Sequence, residues 1–436
     1  MNILAQREAS PLVSLRAVFE TGSASDPAGA AGTAWLTALQ LAGGGTRRQE
    51  YVEILESLFP TAVQITSGVD KEMTSFAFET HVDNLETVYS IFRDMLTDPG
   101  WREDDFERLR ADALNYLTTG LRGQNDEELA KEVLASAIHQ DHPYSTPNCG
   151  TETALKCLTL DSLKQFAANR YTRDRLTLAL AGGYPDGFDK RVESDFAALP
   201  ATGLPSPAIP PASEPSATTA ILVEKPARSV AISFGFPIDV RRGHPDFPAL
   251  LVATSCLGQH RMSSGRLFTS MRQIRGLNYG DYAYIEHFPG GMFSLEPEPN
   301  LGRRSQIFEL WIRPVETHQA HFALRLALHE LERLIAGGLT EAEFQRTRSF
   351  LTKYSRLLLA TKQSELGYSI DSRYYGIPPY PDYLRSTLSA LTLDDVNAAI
   401  RRHLRSDRLT IAAVGPRMVD FAASLAGDTP SPISYT

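Results

Sequence analysis

Residues 158–182 read LTLDSLKQFAANRYTRDRLTLALAG, and residues 391–415 read LTLDDVNAAIRRHLRSDRLTIAAVG. Both stretches are 25 residues long, align without a gap at an offset of 233, and are identical at ten positions. An ungapped match of this extent indicates an internal duplication, and a repeat constrains the fold more strongly than any local pattern. The sequence therefore predicts two homologous domains within its 436 residues.

Each copy of the repeat predicts a helix followed by a buried strand. Thr159 and Thr392 are candidate N-caps, and Asp161 and Asp394 fall in the first helical turn, where negative charge is favourable. A basic turn follows each helix. The apolar runs LTLALAG and LTIAAVG then end at glycine, which is typical of strands buried on both faces.

Other elements are predicted at comparable places in the two halves. Residues 84–96 and a segment from about Glu103 read as helices in the first half; residues 319–336 and a segment opened by a Thr340-x-x-Glu343 capping box do so in the second. The predicted strands are Leu12–Glu20, Ser75–His81, Val230–Phe236 and Ile307–Pro314. We therefore expect an α+β fold of two α/β-sandwich domains, each a mostly antiparallel sheet packed with helices.

A segment rich in proline, alanine and serine separates the two halves. It runs from Ala201 to Pro211, and its composition suits an extended, semi-rigid linker. We predict an N-terminal domain over residues 1–205, a linker over 206–217 and a C-terminal domain over 218–436. The alternative is a long surface loop within one domain.

Composition excludes several classes of protein. The net charge of −9 disfavours a nucleic-acid partner, and no apolar run approaches the ~18 residues of a membrane span. The three cysteines, Cys149, Cys157 and Cys256, lack the spacing of a disulfide framework or a cysteine zinc site. The first residues contain no apolar core of signal-peptide length, so we expect a cytoplasmic protein as written, or a periplasmic one if a leader was removed.

The first half contains the frame of a known motif. Residues 22–27 read GSASDP, residues 32–39 read GTAWLTAL, and residues 45–46 read GT. This frame resembles the pitrilysin and mitochondrial-processing-peptidase superfamily of zinc peptidases. There, G-S-x-x-[DE]-x-x-G precedes a helix with G-x-A-H-x-x-E-H, and G-T follows. The resemblance implies the two-domain fold that the repeat predicts.

The zinc chemistry of that motif is missing from this chain. By the resemblance, Trp35 and Leu39 stand where the two histidines would be, and Ala38 where the catalytic glutamate would be. The third ligand, a glutamate, would fall near Asn115 or Tyr116. None of these side chains supplies a ligand that zinc prefers or a base for water. We therefore expect this chain to bind no cofactor, with zinc in a partner subunit.

A second motif is present in the second half. Residues 263–279 read SSGRLFTSMRQIRGLNY, which is similar to the superfamily stretch S-S-x-L-x-x-x-[LV]-R-x-x-x-G-L-x-Y. In those relatives the arginine and tyrosine reach across a chamber to the zinc site. Arg272 and Tyr279 match their types and spacing, with Gly276 allowing a turn between them. Arginine can bind a peptide carbonyl or carboxylate, and a tyrosine hydroxyl can donate to a developing oxyanion. Ordinary packing is the alternative role for this pair.

The remaining basic residues and histidines have plainer interpretations. Arg261, Arg266 and Arg275 read as a solvated basic face beside the motif. His139 and His142 read as part of a polar loop, His318 and His321 as the start of a surface helix, and His329-Glu330 as a solvated helix face. None of them lies in an H-x-x-E-H or H-E-x-x-H context, so we expect no metal site in this chain.

Two functions remain open. The resemblance implies the non-zinc subunit of a heterodimeric metallo-endopeptidase, which binds short or unfolded peptides and supplies Arg272 and Tyr279 to a homologous zinc-binding partner. The alternative is a structural or chaperone-like scaffold subunit without a role in proteolysis.

Overall fold

The structure, a computed structural model, describes residues 1–260, 262–289 and 294–427. It contains two five-stranded sheets with equivalent strand orders. The first sheet has the order β1-β5-β2-β4-β3 and the second β6-β10-β7-β9-β8. The strands are β1 (Asn2–Arg7), β2 (Leu12–Phe19), β3 (Thr66–Val69), β4 (Thr74–His81), β5 (Leu176–Gly182), β6 (Thr219–Glu224), β7 (Ser229–Ile238), β8 (Asp281–Tyr284), β9 (Gln306–Glu316) and β10 (Thr410–Gly415).

Helices pack against both sheets. The α-helices of the described residues are α1 (Thr33–Gly43), α2 (Tyr51–Leu58), α3 (Leu85–Thr97), α4 (Glu103–Asn115), α5 (Asp126–Ile138), α6 (Glu152–Cys157), α7 (Leu160–Arg170), α8 (Phe188–Phe196), α9 (Phe247–Gly258), α10 (Ala320–Gly337), α11 (Glu341–Tyr354), α12 (Lys362–Tyr375), α13 (Tyr380–Ala390), α14 (Leu393–His403) and α15 (Met418–Ala426). Two π-helical segments, Tyr116–Gln124 and Phe268–Gln273, interrupt this pattern. The α+β prediction is confirmed.

The repeat builds the same unit twice. The hydroxyls of Thr159 and Thr392 accept hydrogen bonds from the backbone N–H three residues on, which caps α7 and α14 as predicted. Strands β5 and β10 each lie between two neighbours, parallel to one and antiparallel to the other. All their residues are buried, which explains the continuous apolar runs.

The two domains exchange helices. Helix α5 of the first half packs on β7 and β10 of the second sheet, while α12 of the second half packs on β2 and β5 of the first. Leu134 of α5 shares an apolar cluster with Ile307, and Leu366 of α12 shares one with Val18. Each sheet is therefore covered in part by the other half, and α5 is placed where the halves face each other.

A buried ion pair and a backbone hydrogen bond link the two halves. Arg303 donates to both carboxylate oxygens of Asp70 at 2.8 and 2.6 Å, and the backbone N–H of Arg304 donates to Glu72 at 2.8 Å. Residues 201–218 between the halves form neither helix nor strand. The boundaries at residues 205 and 217 stay predictions. No helix within the described ranges combines the length and apolar character needed to cross a bilayer.

Candidate functional site

A cavity of about 740 Å³ lies where the two halves meet. The first half supplies most of its wall through α1, the end of β3, the π-helix after α4, and α5. The second half supplies loops that follow α9 and β8, together with Arg313 of β9. The lining residues are Trp35, Val69, Asp70, Tyr116, Leu121, Asn125, Glu127, Glu128, Glu132, Asn148, Cys149, His260, His287, Pro289, Leu301 and Arg313. The volume is within the ~300–1,000 Å³ of ordinary ligand sites.

Helix α1 presents one face to this region. Trp35 and Leu39, four residues apart, are partly exposed, whereas Ala38 is buried in the core of the first domain. The indole of Trp35 stacks on the ring of Tyr116, with centroids 6.2 Å apart and planes 15° apart. Of the two positions proposed for the third ligand, Tyr116 lines the cavity. The structure thus brings Trp35 and Tyr116 together, although they are 81 residues apart in sequence.

The groups beside this aromatic stack do not suit zinc. Indole and phenol rings occupy the place where imidazole and carboxylate ligands would be required. Cys149 also lines the cavity, but burial raises the pKa of its thiol to about 11, so the thiolate that zinc binds is disfavoured near neutral pH. Asp112 lies on the exposed surface of α4. The residues present therefore do not fit a zinc ion.

Elsewhere in the described residues, one group of three potential ligands converges, at His244, Asp246 and His403. Nδ1 of His244 accepts the backbone N–H of Asp246 at 3.0 Å, so the neutral ring carries its proton on Nε2 and offers no free lone pair. Nε2 of His403 lies 2.7 Å from Oδ2 of Asp246, which also binds Arg402. The group is better described as an ion cluster that joins α9 to α14.

The cavity wall has an excess of carboxylates. Helix α5 contributes Glu127, Glu128 and Glu132, and the lining includes one guanidinium, that of Arg313. Arg313 Nε donates to Glu127 at 3.0 Å, and the ammonium of Lys131 donates to Glu128 at 2.9 Å. None of the described residues forms an ion pair with Glu132. Glu132 is thus the glutamate of the wall that forms no ion pair with the described residues, although the charges of the buried Lys71 and Arg303 reach it.

The two histidines of the wall come from the second half. Burial, followed by the charge of Arg303, lowers the pKa of His287 well below its usual value, so this imidazole is neutral at pH 7. His260 packs edge-on against Tyr282, with ring centroids 4.5 Å apart, and its Nδ1 lies 2.7 Å from the carbonyl oxygen of Ser294. The neutral His287 ring therefore adds no fixed positive charge to the acidic wall.

Arg272 and Tyr279 form a pair outside this cavity. The guanidinium carbon of Arg272 lies 4.0 Å from the ring centroid of Tyr279, and its Nη1 donates to the Tyr279 carbonyl oxygen at 3.2 Å. Phe268 flanks the guanidinium at 4.8 Å. Tyr279 is 67% exposed, and none of the described residues hydrogen-bonds its hydroxyl. The structure thus places the two motif residues in contact, at the surface.

The turn between these residues explains their contact. Gly276 has φ +62°, a conformation that side chains with a Cβ rarely adopt, and its N–H donates to the Arg272 carbonyl at 2.9 Å. The side-chain amide of Asn278 donates to Asp281 at 2.6 Å and to the Arg313 carbonyl at 3.0 Å. The predicted glycine turn is confirmed, and Asn278 anchors it to the sheet.

Of the arginines around the motif, Arg266 and Arg275 both bind groups of their own chain. Arg266 donates to both oxygens of Glu343 at 2.8 and 2.9 Å, and its side chain is only 14% exposed. Arg275 donates to the Ser270 carbonyl at 2.7 Å. Arg261 lies outside the described residues. The predicted role was wrong for Arg266, because α11 brings a carboxylate against it.

Two predictions for the histidine pairs also need correction. His139 and His142 lie in a loop after a helix, as predicted, but both side chains are buried, at 2% and 6% exposure. Nε2 of His139 lies 3.2 Å from Ser305 Oγ, and burial lowers the pKa of His139 to about 3, so it is a neutral bridge between the halves. His329 is exposed as predicted, but Glu330 is buried.

Sequence reasoning missed the acidic wall. The run Asp126-Glu127-Glu128 at the start of α5 and Glu132 one turn later were visible as charge, but an acidic first turn is common in any helix. Their position in a cavity depends on the exchange of helices between domains, which no local pattern encodes.

Two family models match the chain. The model for the insulinase family of peptidases, M16, matches residues 2–152, and the model for the peptidase M16 inactive domain matches residues 158–351. The chain belongs to peptidase family M16. The resemblance to the pitrilysin superfamily is thereby confirmed, and the matched region of the second half is of the family's inactive type.

Individual relatives cover most of the chain. It is 23% identical over 380 residues to an uncharacterized zinc protease of Bacillus subtilis, YmxG, with 85% of each protein covered. It is 21% identical over 390 residues to a non-peptidase homolog of Helicobacter pylori, covering 87% of this chain and 84% of that one. A peptidase M16 inactive domain from Pseudomonas fluorescens superposes with a TM-score of 0.81 at 23% identity, covering 95% and 94% of the chains. A protease of Helicobacter pylori gives 0.78 at 14% identity, covering 95% and 97%.

Proposed function

We propose that this chain is the non-zinc subunit of a heterodimeric M16 metallo-endopeptidase and supplies Arg272 and Tyr279 to a zinc site in a homologous partner. One observation carries the proposal: the two motif residues are in contact on an exposed turn, outside the cavity of their own chain. A side-chain pair at the surface, with Tyr279 67% exposed, is available to a second chain. None of the described carboxylates forms an ion pair with Arg272.

The Arg272 guanidinium is suited to hold a peptide. Its position is fixed by the Tyr279 ring, the Phe268 ring and one hydrogen bond to a carbonyl. Arginine has five N–H donors, so this arrangement leaves donors for a substrate carbonyl or carboxylate. Because the side chain is already ordered, less conformational entropy is lost when substrate binds.

The Tyr279 hydroxyl is suited to donate to an oxyanion. It has no hydrogen-bond partner among the described residues and stands on a ring held by Arg272. Removal of one such donor typically costs ~3 kcal/mol of transition-state stabilisation, or 10²–10³ in kcat. Zinc bound by the partner would supply polarisation of the scissile carbonyl, a role that no group near Trp35 can supply.

The cavity of this chain is suited to extended peptides. Strand β3 is an edge strand, paired in the described sheet with β4 alone, and Val69 at its end lines the cavity. An edge strand offers free backbone N–H and C=O groups that an extended peptide can pair with. Short or unfolded peptides can expose their backbone in this way, whereas folded proteins cannot.

A scaffold subunit is the second candidate. The Helicobacter pylori relative is described as a non-peptidase homolog. A scaffold would use the same fold and would tolerate any Arg272 or Tyr279 substitution that leaves the assembly intact. The two candidates therefore differ in one measurable property, the dependence of peptide hydrolysis on these two side chains.

The test uses the assembly purified from the native cell and the same assembly reconstituted from separate subunits. Alone, this chain should neither hydrolyse peptides nor retain zinc; with a zinc-bearing partner, hydrolysis should appear. Arg272→Ala should then reduce kcat/KM at least tenfold, whereas Arg275→Ala, three residues away in the same turn, should leave it within twofold. Full activity of the Arg272→Ala assembly would reject the proposed role and favour the scaffold.

A further inference from the structure

We propose that Trp35, Tyr116 and Glu132 form a subsite that binds the cationic side chain of a lysine or arginine in a peptide. In this chain, the region that would hold zinc in relatives is a cavity lined by aromatic rings and carboxylates. The inference rests on the proposed peptide-binding function but concerns this chain alone, so it can be tested without a partner.

The aromatic pair provides the surface of the subsite. Both rings line the cavity, and Tyr116 is 49% exposed, so part of its ring is accessible. Trp35 packs against the apolar clusters on both sides of α1, which holds its indole in place. A cation over tryptophan or tyrosine gains ~0.5–2 kcal/mol from the negative face of the ring, and more as water is excluded.

Glu132 provides the charge of the subsite. It lies on α5 four residues after Glu128, on the same face of the helix, and both line the cavity. The carboxylate of Glu128 accepts a hydrogen bond from the Lys131 ammonium at 2.9 Å, whereas none of the described residues forms an ion pair with Glu132. The pKa of Tyr116 is raised first by burial and then by the charges of Cys149, Glu132 and Glu128, which places both glutamates in range of its ring.

The combination selects for cations over other side chains. An apolar side chain would gain contact with the rings, but binding it would take water from the Glu132 carboxylate, which has no ion-pair partner among the described residues, at a cost in desolvation. An acidic side chain would be repelled by the carboxylates of α5. A lysine or arginine satisfies both the rings and Glu132, and the cavity of about 740 Å³ has room for the side chain and the adjoining backbone.

Calorimetric titration of the purified chain tests the subsite. The probe is a capped nonapeptide of alanine and glycine with one central arginine, and its matched control has citrulline there, which keeps the shape but not the charge. We expect the arginine peptide to bind at least tenfold more tightly than the citrulline peptide. We expect the ratio to fall as salt rises, because the carboxylate contribution is screened.

Variants locate the binding. Tyr116→Leu and Trp35→Leu should each weaken the arginine peptide about tenfold and the citrulline peptide by less, because only the arginine is a cation. Glu132→Gln should weaken the arginine peptide three- to tenfold. Glu332→Gln, at an exposed position on α10 outside the cavity, should have no effect. Because Tyr116 is half-exposed, its variant remains informative even if Trp35→Leu unfolds.

Three results would overturn the subsite: equal affinity for the two peptides, no measurable binding of the arginine peptide, or wild-type binding by the folded Tyr116→Leu variant. Arg272→Ala serves as a further control and should bind the arginine peptide like the wild type. The two proposals are therefore tested independently: evidence against the subsite would not contradict the role of Arg272, and evidence against that role would not contradict the subsite.

Discussion

Replacement of Arg303 by methionine should destabilise the fold by about 3–4 kcal/mol at pH 7. Arg303 and Asp70 are 5% and 2% exposed and share two hydrogen bonds across the two halves. Loss of one partner of such a buried pair typically costs ~3–5 kcal/mol, because the remaining charge stays buried without compensation. Asp70 would keep one side-chain hydrogen bond, from Asn148 at 2.9 Å.

Protonation of Asp70 sets an upper limit to that cost. A carboxyl with an unfolded pKa of ~3.9 can be neutralised at pH 7 for about 4 kcal/mol, and for about 1.5 kcal/mol at pH 5. In the wild type, burial alone would raise the pKa of Asp70, but attraction to Arg303 and its hydrogen bonds hold it well below its usual value. The pair therefore stabilises the wild type fully above pH ~4, and its contribution is lost only as the pH falls further.

The assay is urea unfolding followed by circular dichroism at pH 7 and pH 5. Arg191→Met is the matched control, because Arg191 makes two hydrogen bonds to Glu86 at 2.6 and 2.7 Å while the two side chains are 39% and 72% exposed. An exposed pair of this kind contributes less than ~1 kcal/mol. The reasoning fails if Arg303→Met costs no more than Arg191→Met, or if its cost does not shrink between pH 7 and pH 5.

Two further predictions concern the zinc positions and a buried acid. The triple variant Trp35→His/Leu39→His/Tyr116→Glu should retain about one zinc per chain by elemental analysis, since it places three zinc ligands around one site. The control variant, with Asn115→Glu in place of Tyr116→Glu, should retain little zinc. Equal zinc retention by the two variants would contradict the placement of Tyr116. Burial, with the charge of Glu286, raises the pKa of Glu296 to about 8, so its ionisation destabilises the fold as the pH rises from ~4.5 to 8. The stability of Glu296→Gln relative to the wild type should therefore be roughly 3 kcal/mol more favourable at pH 8 than at pH 5. A difference between variant and wild type that does not change with pH would refute the assignment.

Much of the fold could be predicted because its signals are local and repeated. The helix caps at Thr159, Thr340 and Thr392 formed where their side chains could satisfy free backbone N–H groups. The strands β5 and β10 followed from apolar runs ended by glycine. These features depend on neighbouring residues, so the sequence contains all the information that they need.

The cavity could not be predicted because it depends on contacts between distant segments. Helix α5 leaves its own domain to pack on β7 and β10, which brings Glu132 opposite the region around Trp35. Arg266 was misassigned for the same reason, since Glu343 approaches it from 77 residues away. The motif spacing of Arg272 and Tyr279 predicted two candidate residues, but their contact through a guanidinium–ring stack is a property of the turn at Gly276.

The kcat of the assembled peptidase with Tyr279→Phe in this chain tests the central claim most directly. The substitution removes one hydroxyl from a ring that is 67% exposed, so the fold and the Arg272 stack should survive. If the hydroxyl donates to the oxyanion at the partner's site, kcat should fall 10²- to 10³-fold while KM changes little. An unchanged kcat in an intact assembly would contradict the claim.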